Sequence, residues 1–189
     1  MNTIAIVGAG LIGSSFGLAV RKAGFDGRIL GVSSANALQA AISAGAVDEA
    51  ASLEEACQSA DLLYLSQPVD RILITIQTIA PLVKSGTFVT DAGSTKGAIV
   101  KRAGELLPDK SFLGGHPMAG KETRGAGAAD ASLFCSRPYI LTPSGHPHSP
   151  HENEFRELLR LMGAIVTDLD ANEHDKAVAF TSHLPQLLS

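Results

Sequence analysis

The chain has 189 residues, is 45% hydrophobic and sets 15 basic against 19 acidic residues, for a formal charge of -4. That length buries one substantial core, and charges intermixed without a basic tract exclude recruitment of nucleic acid or an anionic membrane surface. The two cysteines, Cys57 and Cys135, lack ligand-like spacing, which excludes a disulfide scaffold and a cysteine zinc site.

In chain order, Met1-Asn2-Thr3 leads without a positive leader into the apolar strand Ile4-Ala5-Ile6-Val7, so a cytoplasmic protein is expected. Gly8-Ala9-Gly10-Leu11-Ile12-Gly13 follows, then a helical pattern to about Ala23 closed by Gly24, and a second strand from Arg28 to Val32. Ala35 to Ala44 reads as a small helix ended by Gly45, Ala46-Val47 as a short strand, and Ser52 with Glu55 as the capping box of another helix. The uncharged stretch from Ile29 to Val47 is broken by serines, Asn36 and Gln39 and lacks the continuous apolarity of a membrane span.

Asp61 to Ser66 is a buried strand turned by Gln67-Pro68, and Val69 to about Leu82 has helical spacing. Thr87 to Thr90 is a strand, Asp91-Ala92-Gly93-Ser94-Thr95-Lys96 a turn into a helix reaching Leu107, and Pro108 its terminator. Ser111-Phe112-Leu113 gives a sixth strand, placing His116 on the loop after it. Pro138 to Leu141 reads as a strand, 142–151 as a Pro/Ser/His-rich linker, 151–162 as a helix and Ala164 to Leu169 as a last strand. Continuous apolar strands alternating with helices imply an α/β, Rossmann-like, mainly parallel sheet covered on both faces over residues 1–169. A new helical pattern starts at Asn172 and is unfinished at Ser189, so residues 170–189 are expected to open an α-helical substrate and dimerisation domain.

Gly8, Gly10 and Gly13 lie between a strand and a helix, with Leu11 and Ile12 among them. In a dinucleotide site the first glycine turns the chain, the second admits the pyrophosphate and the third seats helix on sheet, while amides at the helix start receive the phosphate charge. No acid stands about twenty positions on, where one would accept the ribose hydroxyls. Ser33 and Ser34 stand there instead, which favours NADP over NAD, with Arg21 or Arg28 as the source of positive charge. Gln67-Pro68 and Gly93-Ser94 fall at carboxyl ends of neighbouring strands, where such sheets place ligands, although proline and glycine also serve simply to turn a chain.

His116 can exchange a proton near neutral pH, with Pro117 and the surrounding glycines restraining its backbone. Ser94, Lys96 and Arg124 are candidates to bind polar or anionic substrate groups, a lysine and an arginine being equally at home in solvent. No metal is expected: His146-Pro147-His148 with His151 sits among prolines and serines with no completing carboxylates.

The run Gly114-Gly115-His116-Pro117-Met118-Ala119-Gly120 with Glu122 and Gly125, the turn Asp91–Lys96 and the closing Thr181-Ser182-His183-Leu184-Pro185 resemble the prephenate/arogenate dehydrogenase family over essentially the whole chain. The resemblance implies NAD(P)-dependent oxidative decarboxylation of prephenate or arogenate in tyrosine biosynthesis by a homodimer. It makes His116 the catalytic histidine and Ser94 the serine that helps hold both the substrate hydroxyl and that histidine. It also puts Glu122 near the substrate side chain and His183 in the substrate pocket, with Asp175, beside His174, supporting the helix there. Two readings compete with it. One is another dehydrogenase of the 6-phosphogluconate/3-hydroxyacid superfamily, with Lys176 as its lysine; the other is a nucleotide-binding domain without chemistry.

Overall fold

The computed structural model describes residues 1–107, 111–123, 125–143 and 149–180. Eight strands form one sheet: β1 (Thr3–Val7), β2 (Arg28–Val32), β3 (Glu49–Ala50), β4 (Leu62–Leu65), β5 (Phe88–Asp91), β6 (Ser111–Pro117), β7 (Pro138–Thr142) and β8 (Ile165–Asp168). Their order is β3-β2-β1-β4-β5-β6-β7-β8, every neighbouring pair being parallel except β6 with β7. The helices are α1 (Leu11–Lys22), α2 (Ala35–Ser43), α3 (Leu53–Ser59), α4 (Val69–Ile79), α5 (Gly97–Leu106), α6 (Pro150–Leu161) and α7 (Ala171–Val178). None of the described helices is long and apolar enough to cross a membrane.

Both faces of the sheet are covered, which is why its strands read as unbroken apolar runs. Ile4, Ile6, Leu62 and Tyr64 alternate onto one face with Phe16 of α1 and Phe155 of α6, while Ala5, Val7, Leu63 and Leu65 turn to the other with Ile72 and Ile76 of α4 and Ile99 of α5. The chain runs from β1 outward to β2 and β3, then returns to place β4 on the other side of β1. The crevice at that reversal lies beyond the carboxyl ends of β1 and β4, where a doubly wound sheet receives its ligand.

Three placements differ from the sequence reading. The third strand is Glu49–Ala50 rather than Ala46-Val47. Ala46 and Val47 are buried in the core, and the ladder to β2 begins only where Asp48 N–H donates to the Ile29 carbonyl at 2.8 Å. The sixth strand does not stop at Leu113 but runs to Pro117, so His116 is a strand residue opposite Ile140. Its first half pairs with β5 and its second half with β7, and this second, non-local pairing overrides the turn preference of Gly114-Gly115. The linker is shorter than expected, since Ser149 Oγ accepts from His151 N–H at 3.2 Å and Pro150 opens α6.

Other boundaries follow local chemistry. Ser52 Oγ accepts from Glu55 N–H at 3.1 Å to start α3, as the capping box requires. Asp170 caps α7 through Asn172 and Glu173 N–H at 2.9 and 3.2 Å. The expected terminator Pro108 lies outside the described residues, as do His146 and His148. The third histidine of that group, His151, meets Glu154 at 3.1 Å.

Candidate active site

The cofactor half begins where β1 ends. Gly8 has φ +105°, a conformation L side chains rarely adopt, and its N–H donates to the Val32 carbonyl at 2.8 Å. Ser66 Oγ donates to the Gly8 carbonyl at 2.8 Å, tying the turn to the end of β4. A Cβ on Gly13 would stand 2.2 Å from the Gly8 carbonyl oxygen and 2.5 Å from Ser66 Oγ, so α1 rests directly on the turn. A Cβ on Gly10 would meet nothing within 4 Å. No protein atom fills the space above this residue, which also caps α1 without a side-chain bond or an acid in the first turn. Such a helix start, beside the partly buried Leu11 and Ile12, fits a pyrophosphate.

A cleft of about 730 Å³ opens here, lined by Gly8, Gly10, Ser33, Ser34, Gln67 and Arg71 among others. Ser34 caps α2 without a side-chain bond to it, Pro68 caps α4, and Gln67 Oε1 accepts from Thr75 Oγ1 at 2.7 Å. Neither arginine considered from sequence lines the cleft. Arg21 donates to the Phe25 and Gly27 carbonyls at 2.8 and 2.6 Å and pairs with Asp48 at 2.5 Å, while Arg28 pairs with Glu49 at 3.4 Å. Arg71, on the first turn of α4, lines the same cleft as Ser33 and Ser34 and lies 4.0 Å from Asp70.

The reacting half lies two strands away. Ser94, exposed on the turn after β5, and His116, near the end of β6, line one cleft of about 330 Å³ together with Pro117, Met118, Ala119 and Val178. His116 Nδ1 is 2.8 Å from His174 Nε2, and His174 Nδ1 is 2.8 Å from Asp175 Oδ1. The Asp175 carboxylate also accepts the Lys96 and Gly97 N–H groups at 2.7 and 2.8 Å, capping α5 from another helix. Burial pushes Asp175 up, but those amides and His174 outweigh it and hold its pKa below the usual carboxylate value.

This order of bonds assigns the tautomers. Asp175 accepts, so His174 Nδ1 carries the hydrogen and its Nε2 accepts; His116 Nδ1–H therefore donates to it. The remaining nitrogen, His116 Nε2, has no hydrogen-bond partner among the described residues and is left as a lone pair. Burial, then His174 and Lys96, lower the His116 pKa to about 4, with Asp175 acting in the opposite sense. At neutral pH the ring is an uncharged acceptor.

Other sequence candidates fare differently. Lys96, expected to be available to an anionic substrate, is 0% exposed; its ammonium is bound to the Asp91 carboxylate and to the Gly115 carbonyl at 2.6 Å. The partner that draws it inside stands five residues earlier, across the turn. Gly93 is buried and gives its N–H to Asp91 Oδ2 at 2.7 Å. Glu122 is exposed and does not line the cleft. Arg124 and His183 lie outside the described residues. Lys176 is exposed on α7 and does not line the His116 cleft. Sequence reasoning passed over His174 itself, although Ala171, His174 and Val178 fall at helical spacing on one buried stripe, the signal of an inward-facing histidine.

The pattern of the family described as "Prephenate dehydrogenase, nucleotide-binding domain" matches residues 16–168. The chain belongs to the prephenate dehydrogenase family. It is 39% identical to the prephenate dehydrogenase of Lactococcus lactis subsp. cremoris, a match covering 100% of this chain and 52% of that protein. The chain thus spans about half the length of the curated relatives it matches. Among solved structures, Synechocystis arogenate dehydrogenase superposes with a TM-score of 0.87 at 34% identity, covering 97% of this chain and 65% of that one. The prephenate dehydrogenase of A. aeolicus in complex with hydroxyphenyl propionate and NAD+ gives 0.92 at 29%, covering 100% and 66%. The family match begins inside α1, so the Gly8–Gly13 turn ahead of it stands on its own geometry.

Proposed function

We propose that this chain carries the nucleotide-binding and proton-accepting half of an NAD(P)-dependent dehydrogenase that oxidatively decarboxylates prephenate or arogenate. The observation that carries the reading is the His116–His174–Asp175 series, which leaves His116 Nε2 as a free acceptor beside Ser94 in one cleft. The Gly8–Gly13 turn and the start of α1 hold the dinucleotide through its phosphates.

When bound, the nicotinamide accepts hydride from ring C4 of the substrate. Ser94 and His116 hold the C4 hydroxyl, and His116 Nε2 takes its proton as the carbonyl oxygen forms. The bond from the ring to its carboxylate then breaks, carbon dioxide leaves, and the released electron pair completes the aromatic ring while the new carbonyl becomes a phenolate, which takes the proton back from His116 Nε2 to give the phenol. Asp175 faces the histidine pair through His174 and offsets the positive charge on His116 after transfer. Because aromatisation supplies the driving force, the protein's task is placement and one base.

In this reading Glu122, Arg124 and His183 serve to bind the substrate in the complete enzyme. Residues from about 170 onward open the helical domain through which a cytoplasmic homodimer assembles. A kinetic matrix of prephenate and arogenate against NAD and NADP, on the protein in its full natural length, tests it. Nucleotide reduction dependent on either substrate is the expected result; turnover of a simple 3-hydroxyacid and of neither cyclohexadienyl acid overturns it.

The same matrix tests cofactor choice. Two serines in place of an acid, with Arg71 lining the same cleft, favour the 2′-phosphate of NADP over the free hydroxyl of NAD. Arg71→Ala is expected to raise KM for NADP about tenfold, the size of one charge-assisted contact, and to leave KM for NAD within about twofold. A strong NAD preference in the unaltered protein, or equal effects on both nucleotides, defeats the assignment.

A further inference from the structure

We infer that Lys96 is a positioning residue for His116, closing a ring of hydrogen bonds that grips the reacting histidine by its imidazole and its backbone together. The inference rests on the reading of His116 as the proton acceptor. The ring runs from His116 Nδ1 to His174 Nε2 at 2.8 Å, and from His174 Nδ1 to Asp175 Oδ1 at 2.8 Å. Asp175 Oδ1 then accepts the backbone N–H of Lys96 at 2.7 Å. The Lys96 side chain completes the circuit by donating from Nζ to the Gly115 carbonyl at 2.6 Å, and that carbonyl belongs to the peptide joining Gly115 to His116. One residue at the entry to α5 therefore reaches α7 with its amide and β6 with its ammonium.

Asp91 holds the lysine in this pose. It binds the Lys96 ammonium and the Gly93 N–H through Oδ2, and accepts the Gly115 N–H at 3.2 Å through Oδ1. Both polar groups of Gly115 are thus held by one buried pair, so its peptides cannot rotate without breaking two bonds. The double glycine makes the approach possible. A Cβ on Gly115 would stand 2.6 Å from the Asp91 carbonyl oxygen, and one on Gly114 would stand 2.2 Å from Thr142 Oγ1. A lysine that served only to neutralise Asp91 would not need the Gly115 carbonyl.

The ring also sets the charge around His116. His174 and Asp175 face it from α7, Lys96 from the entry to α5, and Asp91 lies behind Lys96 at the end of β5. Lys96 opposes protonation of His116 and Asp175 favours it. Burial pushes Asp91 up and Lys96 down, each opposed by its partner's charge. Removing the lysine therefore has a defined sign: His116 becomes easier to protonate.

The test uses the Asp91→Asn/Lys96→Met double variant of the protein in its full natural length. This change keeps one acceptor oxygen, enough for either the Gly93 or the Gly115 amide, and fills the volume of the lysine stem while deleting both charges. The expected results are a kcat lower by about tenfold or more, an acid limb of kcat/KM moved to higher pH, and nucleotide Kd within about twofold of the unaltered protein. Side-chain NMR of labelled histidine reads the His116 titration without turnover and is expected to move the same way. If the unaltered protein turned over neither prephenate nor arogenate, the functional reading would fail while the NMR shift still tested this one. Should the double variant not fold, Lys96→Met alone serves, with Asp91 taking up the proton its burial already favours and the same upward shift expected. A folded, nucleotide-binding variant whose His116 titration stays where it was overturns the inference, whether or not kcat changes.

Discussion

Replacing His116 by Asn is expected to lower kcat by about 10²- to 10⁴-fold, the range that general-base catalysis supplies, while nucleotide affinity stays within about twofold. The substitution is selective because an Asn amide can still donate toward His174 Nε2, preserving the link to α7 and Asp175, whereas nothing in Asn replaces the lone pair on Nε2. The proposed dinucleotide site lies around the Gly8–Gly13 turn after β1, with β4 and β5 between it and β6, and its cleft does not include His116. The pH profile gives a second check. The working base is the neutral ring, and burial with His174 and Lys96 depresses its pKa from 6.5 to about 4, so kcat/KM should hold through neutrality and fall only as the pH drops below 6.5 toward that value. In the Asn variant that acid limb should vanish from the residual rate. Undiminished turnover would remove His116 from the reaction.

Gly13→Ala is expected to weaken nucleotide binding by about 100-fold or more and to destabilise the fold by about 1–3 kcal/mol, the cost of overpacking a filled site. The added methyl would meet the Gly8 carbonyl oxygen at 2.2 Å, Ser66 Oγ at 2.5 Å and Ile6 Cγ2 at 2.9 Å, two of them on the turn or the strand end beside it. Helix α1 must then lift from the sheet, carrying its free amides away from the phosphates. Gly10→Ala provides the contrast, since a methyl there meets no protein atom within 4 Å and φ is an ordinary -85°. It should leave the melting temperature nearly unchanged while obstructing the ligand. Thermal melts and nucleotide titrations of the two variants separate packing from binding; similar behaviour of both would contradict the division of labour among these glycines.

The order of strands and helices was legible because each buried strand is an apolar run and most helices carry a cap or a glycine stop. His116 in a strand was not, since Gly114-Gly115 reads locally as a turn and only pairing with β7, more than twenty residues on, keeps the backbone extended. Lys96 misled for a related reason. A lysine among polar neighbours signals solvent, and the Asp91 that draws it inside becomes its partner only when the turn folds back. Ser33 and Ser34 stand at the expected distance from the glycines, but Arg71 is not legible beside them, because it joins their cleft from α4, almost forty residues on, while Arg21 and Arg28 bond nearby carbonyls and carboxylates. The sequence marks Asp175 as a support for its helix and His174 only as its neighbour; their arrangement against His116 depends on α7 docking over α5 and β7.

Strand β6 fixes something about how this chain can vary in length. It is paired in parallel with β5 along Ser111–Leu113 and antiparallel with β7 along Gly114–Pro117, so neither neighbour can absorb a slip without the other resisting. Side chains alternate along a strand, and a single-residue insertion or deletion within β6 ahead of His116 would turn its imidazole to the opposite face, away from Ser94 and α7. A deletion would also bring His116, with its Cβ, to the place where Asp91 and Lys96 hold the bare Gly115 peptide. The interval from Ser111 to His116 therefore works as a ruler, in which the count of residues matters as much as their identity.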